Sequence, residues 1–182
     1  GLQAAVRERG ADIGLAFDGD ADRLIAVDEQ GRLVDGDRVM AVCATDMQAR
    51  GKLAQNTVVG TVMSNLGLQL YLEKHGMRLE KTAVGDRYVL ERMLAEGYNF
   101  GGEQSGHVIL LDKNTTGDAM LTALQLLGVA VRSGKTLGQL ADTVEILPQV
   151  LENARVSEED RLAYQADDAV QAEIARTEQA LL

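Results

Sequence analysis

Three aspartates at alternating positions, Asp18, Asp20 and Asp22, followed at once by Arg23, are the strongest chemical signal in the chain. They stand in Asp18-Gly19-Asp20-Ala21-Asp22-Arg23, between two short apolar runs. Carboxylates crowded this closely repel one another, and a hard divalent cation relieves the repulsion by taking their oxygens as ligands. Magnesium keeps coordination positions for water or a phosphate, so such a loop suits phosphoryl transfer. Two other readings compete on the residues alone. Asp18, Asp20 and Asp22 fit the first, third and fifth places of a calcium-binding EF-hand loop, with Ile25 at the eighth and Glu29 at the twelfth. That loop requires a glycine where Arg23 stands, and helical flanks where this sequence reads as strands. The plainer alternative is a solvated acidic turn.

A second group lies in Gly102-Glu103-Gln104-Ser105-Gly106-His107, a glycine-flanked loop between apolar runs. A carboxylate beside a hydroxyl can read vicinal hydroxyl groups, and a neutral imidazole can move one proton near neutral pH. Taken singly, Glu103 reads as an exposed loop carboxylate and His107 as a structural histidine at a strand start. Their occurrence in one loop favours a polar ligand. Asp37, in Asp35-Gly36-Asp37-Arg38, superficially repeats the aspartate loop but reads as a helix N-cap. Ser64 sits in a strand-to-helix turn, and His75 reads as a surface residue at a helix end. Cys43, the only cysteine, cannot form an internal disulfide. Its apolar helical surroundings make it a buried structural thiol, and its isolation fits a reducing cytoplasm.

The elements that must position these groups alternate between strand and helix patterns, which predicts an α/β fold with mixed sheets flanked by helices. Residues 13–17 and 24–27 read as short buried strands around the aspartate loop. A hairpin turn at 29–32 leads to a strand at 33–34, and a helix runs from 38 to about 50. Then come a strand at 57–62, a helix at 66–75 closed by Gly76, a strand at 77–83 and a helix at 87–95 ending at Gly97. Strands at 98–101 and 108–111 flank the second loop. Helices at 118–131 and 136–143 follow, the last capped by Thr136. Pro148 marks a linker, and Ser157-Glu158-Glu159-Asp160 reads as the start of a helix in an acidic tail.

Composition bounds the function. The 182 residues are 46% hydrophobic and 25% charged, a globular profile. The formal charge of −10 argues against nucleic acid as a partner. No apolar run is long enough for a transmembrane helix. The N-terminus lacks an initiator Met and reads as a helix interior, so the chain is expected to be a piece of a longer one.

Several of these motifs together resemble the α-D-phosphohexomutases. Asp18 to Arg23 is similar to that family's metal loop, usually Asp-Gly-Asp-Gly-Asp-Arg, with Ala21 where the family usually has glycine. Gly102 to His107 looks like its sugar-recognition loop. With Thr61-Val62-Met63-Ser64-Asn65 and Val84-Gly85-Asp86-Arg87-Tyr88-Val89, it is similar to the phosphoglucosamine mutase branch; phosphomanno/phosphoglucomutases tend to carry Met in place of Gln104. The resemblance runs over residues 1 to about 155. It implies an intracellular enzyme moving a phosphoryl group between glucosamine 6-phosphate and glucosamine 1-phosphate, through a phosphoserine and a bisphosphorylated intermediate. Asp18, Asp20 and Asp22 would bind Mg²⁺, and Arg23 would support the phosphoryl group. Glu103 and Ser105 would hydrogen-bond sugar hydroxyls, His107 would serve as a general acid/base, and Gly85 and Asp86 would belong to a second substrate loop. Residues 1–50 would be the end of the family's domain 2, 51–147 its complete domain 3, and 148–182 a linker into domain 4. No serine occurs in the family's nucleophile context, nor is there an Arg-Pro-Ser-Gly-Thr type phosphate loop. These 182 residues alone are therefore expected to lack mutase activity and to need the remaining domains of a parent chain.

Overall fold

The computed structural model describes residues 1–153, 155–158, 160 and 163–181. Residues Gly1–Pro148 form one compact unit and Gln149–Leu182 another.

The first unit opens with α1 (Leu2–Arg9), closed by Gly10 in the left-handed conformation that glycine adopts without steric penalty. Then β1 (Ile13–Phe17), β2 (Leu24–Asp28) and β3 (Leu33–Val34) make an antiparallel three-stranded sheet in the order β1-β2-β3. Central β2 is buried along most of its length. β1 is a half-open edge strand, not the buried strand its apolar residues predict, because among the described strands it pairs only with β2: Gly14 is buried while Ala16 and Phe17 are exposed. The turn after β2 is fixed by the buried Asp28 carboxylate, which accepts the backbone N–H groups of Gln30 and Arg32 and the Arg32 Nε.

Next, α2 (Gly36–Ala49) carries the apolar face that binds the unit together. Its N-cap is Asp35, whose carboxylate accepts the Arg38 N–H at 3.1 Å. The sequence reading placed the cap at Asp37. That residue is one turn-step further in and fully buried, accepting the Asn65 N–H at 2.8 Å instead. Cys43 lies on the buried face of α2, and burial pushes its thiol pKa up to about 12, as expected of an inert structural thiol.

A second sheet has the order β5-β4-β6-β7. β4 (Thr57–Thr61), β5 (Arg78–Thr82) and β6 (Phe100–Gly102) run parallel, and β7 (Val108–Leu110) returns antiparallel to β6. Two crossover helices serve the parallel strands, α3 (Leu66–Lys74) and α4 (Asp86–Glu96). β4 is buried at every position, as a strand covered on both faces must be. α5 (Ala119–Ser133) and α6 (Leu137–Ala141) complete the unit. Asp118 caps α5 by accepting the Leu121 N–H, and Thr136 caps α6 in a reciprocal capping box with Gln139. One continuous core runs from Leu24 and Val34 through Met40 and Ala44 to Leu72, Phe100 and Leu126.

The second unit contains α7 (Asp168–Leu181). The helix expected at Ser157 is a turn: Ser157 Oγ bonds the Asp160 side chain, and its acceptor function takes the Asp160 N–H. Glu159 lies outside the described residues. The helix starts ten residues later, where Asp167 accepts the Ala169 and Val170 N–H groups. Among the described residues no helix is long and apolar enough to cross a membrane.

Candidate functional site

The aspartate loop spans the gap between β1 and β2, whose antiparallel register holds its two ends together at Phe17 and Leu24. One oxygen from each of Asp18, Asp20 and Asp22 falls within 4.8 Å of the others. Ala21 makes the tight turn with φ at +58°, a left-handed conformation that disfavours any residue with a Cβ. Arg23 is paired to Asp18: its Nε lies 2.7 Å from Asp18 Oδ2, and its backbone N–H donates to Asp18 Oδ1. Desolvation raises the Asp18 pKa, but the bonds from the Arg23 backbone and guanidinium reverse this and leave it below its ordinary value. Asp22 Oδ1 is buried, accepts no hydrogen bond among the described residues, and lies 3.5 Å from Arg23 Nε in a longer ion pair. Three carboxylates converging in one loop offer the oxygen donors that a hard cation takes. The donor set, all oxygen, fits Mg²⁺.

The EF-hand reading fails on geometry. The loop joins two strands, and Glu29 is engaged elsewhere, accepting the Thr136 hydroxyl at 2.8 Å and the Gly138 N–H at 3.0 Å.

The second loop, between β6 and β7, is docked directly onto the first. Leu24 N–H donates to Gly106 O at 3.1 Å, and Arg23 and His107 form an antiparallel β-bridge. Gly106 takes φ of +97° with Leu24 backbone atoms against its Cα, so a side chain there meets both conformational strain and a clash. From the other side, Gly36 at the start of α2 donates its N–H to Gln104 O at 3.0 Å. Glu103 Oε1 accepts the Gly85 N–H at 3.1 Å, bringing the turn before α4 to the same place. Ser105 stands exposed at the apex.

His107 is almost completely buried behind the aspartate loop. Its Nδ1 lies 2.9 Å from Asp22 Oδ2, and its Nε2 receives the Gly117 N–H at 3.1 Å. Asp86 Oδ2 is 4.0 Å from Nε2, beyond hydrogen-bond reach. The fold thus gathers Asp18, Asp20, Asp22, Arg23, Gly85, Asp86, Glu103 and His107 around one place, with Ser105 on its rim. Sequence reasoning missed two contributors. Neither Gly117, just before the Asp118 cap, nor Gly36, just after the Asp35 cap, was given a role in the sequence analysis. A glycine immediately before a capping residue, and one immediately after, were the signals available.

Comparison with known proteins places the first unit across two domains of one family. Residues 35–146 match the family described as phosphoglucomutase/phosphomannomutase, alpha/beta/alpha domain III, and residues 1–31 match alpha/beta/alpha domain II. A phosphoglucosamine mutase of Caldanaerobacter subterraneus subsp. tengcongensis is 55% identical over 97% of this chain and 40% of its own length. One from Ruminiclostridium cellulolyticum is 58% identical over 93% of this chain and 38% of its own. The chain therefore spans about two-fifths of the length of the curated relatives it matches. Among solved structures, a phosphoglucomutase/phosphomannomutase family protein from Burkholderia thailandensis superposes with a TM-score of 0.72 at 26% identity, covering 90% of this chain and 35% of that one. An Aspergillus fumigatus N-acetylphosphoglucosamine mutase, solved with GlcNAc-6P and magnesium, shares the fold at a TM-score of 0.60 and 23% identity, covering 74% and 36% of the two chains. With its two docked loops in place and more than half its length inside one family match, the chain belongs to the phosphoglucomutase/phosphomannomutase family.

Proposed function

We propose that this chain is the metal-holding and sugar-reading part of a phosphoglucosamine mutase, which interconverts glucosamine 6-phosphate and glucosamine 1-phosphate for UDP-N-acetylglucosamine synthesis. The observation that carries the proposal is the backbone seam between the aspartate loop and the Glu103–His107 loop, which brings the three aspartates and the Glu103–His107 loop together. The names of relatives sharing 55–58% of the sequence support the branch.

In this reading Asp18, Asp20 and Asp22 hold Mg²⁺. Bound there, the ion would neutralise charge on a transferring phosphoryl group. Arg23, with a half-exposed side chain, can turn from Asp18 toward phosphoryl oxygens once a cation takes over that carboxylate. Glu103 accepts from sugar hydroxyls with the oxygen that Gly85 leaves free, and Ser105 donates from the rim. Gly85 and Asp86 present the start of α4 as the second substrate loop. The small phosphosugar is the ligand, the phosphoserine and final phosphate loop come from remaining domains of the parent chain, and the setting is cytoplasmic.

Assay of the whole protein tests this. Turnover of glucosamine 6-phosphate well above glucose or mannose phosphates is expected, with the 182-residue chain alone inactive. Preference for glucose or mannose phosphates would transfer the assignment to a phosphomannomutase/phosphoglucomutase. The Gln104→Met variant is expected to erode the amino-sugar preference; an unchanged preference would remove Gln104 from its basis.

A further inference from the structure

We infer that the first unit carries a second ligand site, for a small organic phosphate monoester, at the end of the β6–β7 hairpin away from the Glu103–His107 loop. A cavity of about 360 Å³ opens there, with Arg50, Lys52, Lys113 and Gln125 in its lining. Small-molecule sites span about 300–1,000 Å³, so the space suits a compact ligand. β6 runs away from Asn99 toward the Glu103–His107 loop, and β7 returns from that loop to Leu110. Asn99 and Leu110 both line the cavity, which therefore lies at the open end of the hairpin. The site is independent of the mutase reading.

Local charge selects an anion. The cavity has three cations against one carboxylate, Asp112, in a chain whose formal charge is −10. Arg50 shares the Asp46 carboxylate with Arg132, so two guanidinium groups meet one acid. Neither Lys52 nor Lys113 has an ion-pair partner among the described residues. Asn99 ties the two lysine-bearing turns together. Its Oδ1 accepts the Ala54 N–H at 2.9 Å, and its Nδ2 donates to Lys52 O and to Asp112 Oδ2, each at 2.8 Å. Both ammonium groups are thus brought to one cavity by main-chain anchors before any ligand binds. Two point charges of this kind suit a phosphate dianion better than a single carboxylate.

Gln125 adds a directional donor. Its Nε2 is buried and has no hydrogen-bond partner among the described residues, a costly state that a ligand oxygen relieves. Met47 and Leu121 supply an apolar wall, so an ester with an apolar body fits better than a bare ion.

NMR titration of the full chain with phenyl phosphate, in EDTA to keep metal from the aspartate loop, tests this. Saturable amide shifts are expected at 50–53, 99 and 111–113, together with the Gln125 side-chain amide. Shifts confined to 18–23 and 102–107, or unsaturable shifts spread over the surface, would overturn the proposal. The double variant Lys52→Met/Lys113→Met and the single variant Gln125→Leu are each expected to bind about tenfold more weakly, the loss for a hydrogen bond to a charged group. Lys135→Met, outside the cavity, should stay within about twofold of wild type because salt screens distant charges. An equal loss in Lys135→Met would reveal diffuse attraction and sink the site. Phenylacetate binding as tightly as phenyl phosphate would refute the phosphate class, and equally tight inorganic phosphate would refute the ester.

Discussion

Gly36 lies with its Cα directly against the carbonyl oxygen of Glu103, leaving no room for a side chain at the first position of α2. Gln104 O and Gly106 N would both stand 2.8 Å from an added Cβ. All three neighbours are backbone atoms of one tightly held loop, so relief requires moving the loop itself. Gly36→Ala is expected to destabilise the fold by about 1–3 kcal/mol, the range for overpacking a tight site. Urea unfolding measures the loss, and amide shifts confined to 102–107 would identify its source. An unaltered midpoint would show that the loop yields freely.

At Ala21 the effect should have the opposite sign. Its φ of +58° places a Cβ in a backbone region that only glycine enters without penalty. Ala21→Gly is expected to stabilise the chain by about 1 kcal/mol, the left-handed strain outweighing the added freedom of the unfolded glycine. A shift of the urea midpoint at constant slope is the readout.

Asp37 should make stability depend on pH. Burial pushes its carboxyl from 3.8 up to about 6, against the opposing Asn65 N–H; Asp35 raises it further, and Gln104 and Ser64 pull it back. Between those values the folded chain keeps a proton that the unfolded chain releases. The stabilising contribution is therefore complete below pH 3.8 and lost as pH rises through about 6. At 1.36 kcal/mol per pH unit this amounts to an effect on the order of 3 kcal/mol. Asp37→Asn keeps an acceptor for Asn65 and removes the charge. The variant should gain on wild type from pH 4.5 to pH 7.5 in paired urea titrations, and parallel curves would refute the burial argument.

Metal should stabilise the first unit by mass action. At a free Mg²⁺ concentration a hundredfold above its dissociation constant, the expected gain is about 2.7 kcal/mol. Differential scanning calorimetry with and without EDTA measures it. The gain should vanish in Asp20→Asn, whose exposed side chain leaves the apo fold undisturbed.

Much of this architecture was legible in the residues because local signals agreed with the tertiary outcome. The β4-α3-β5-α4 series follows from apolar periodicity with Gly76 and Gly97 as stops. The two loops were visible as polar clusters between strands. What could not be read were relationships across long separations. Asp35 and Asp37 are equivalent on a helix-capping argument, and only the Asn65 N–H, 28 residues away, decides which is buried. His107 stands out in its loop, but its contact with Asp22 spans 85 positions, so its orientation had no local signature. The edge character of β1 is likewise set by which strands pair beside it. The turn at Ser157 shows the converse, a local cap pattern with no packed helix to follow it.

The seam from Arg23 and Leu24 to Gly106 and His107 works as a fixed ruler. The spacing between the aspartate loop and the Glu103–His107 loop is set by main-chain bonds, not by side-chain rotamers. If the proposed function holds, a sugar phosphate of the wrong length could not be fitted by sliding one loop against the other. Any movement of one loop must carry the other with it, as one jaw.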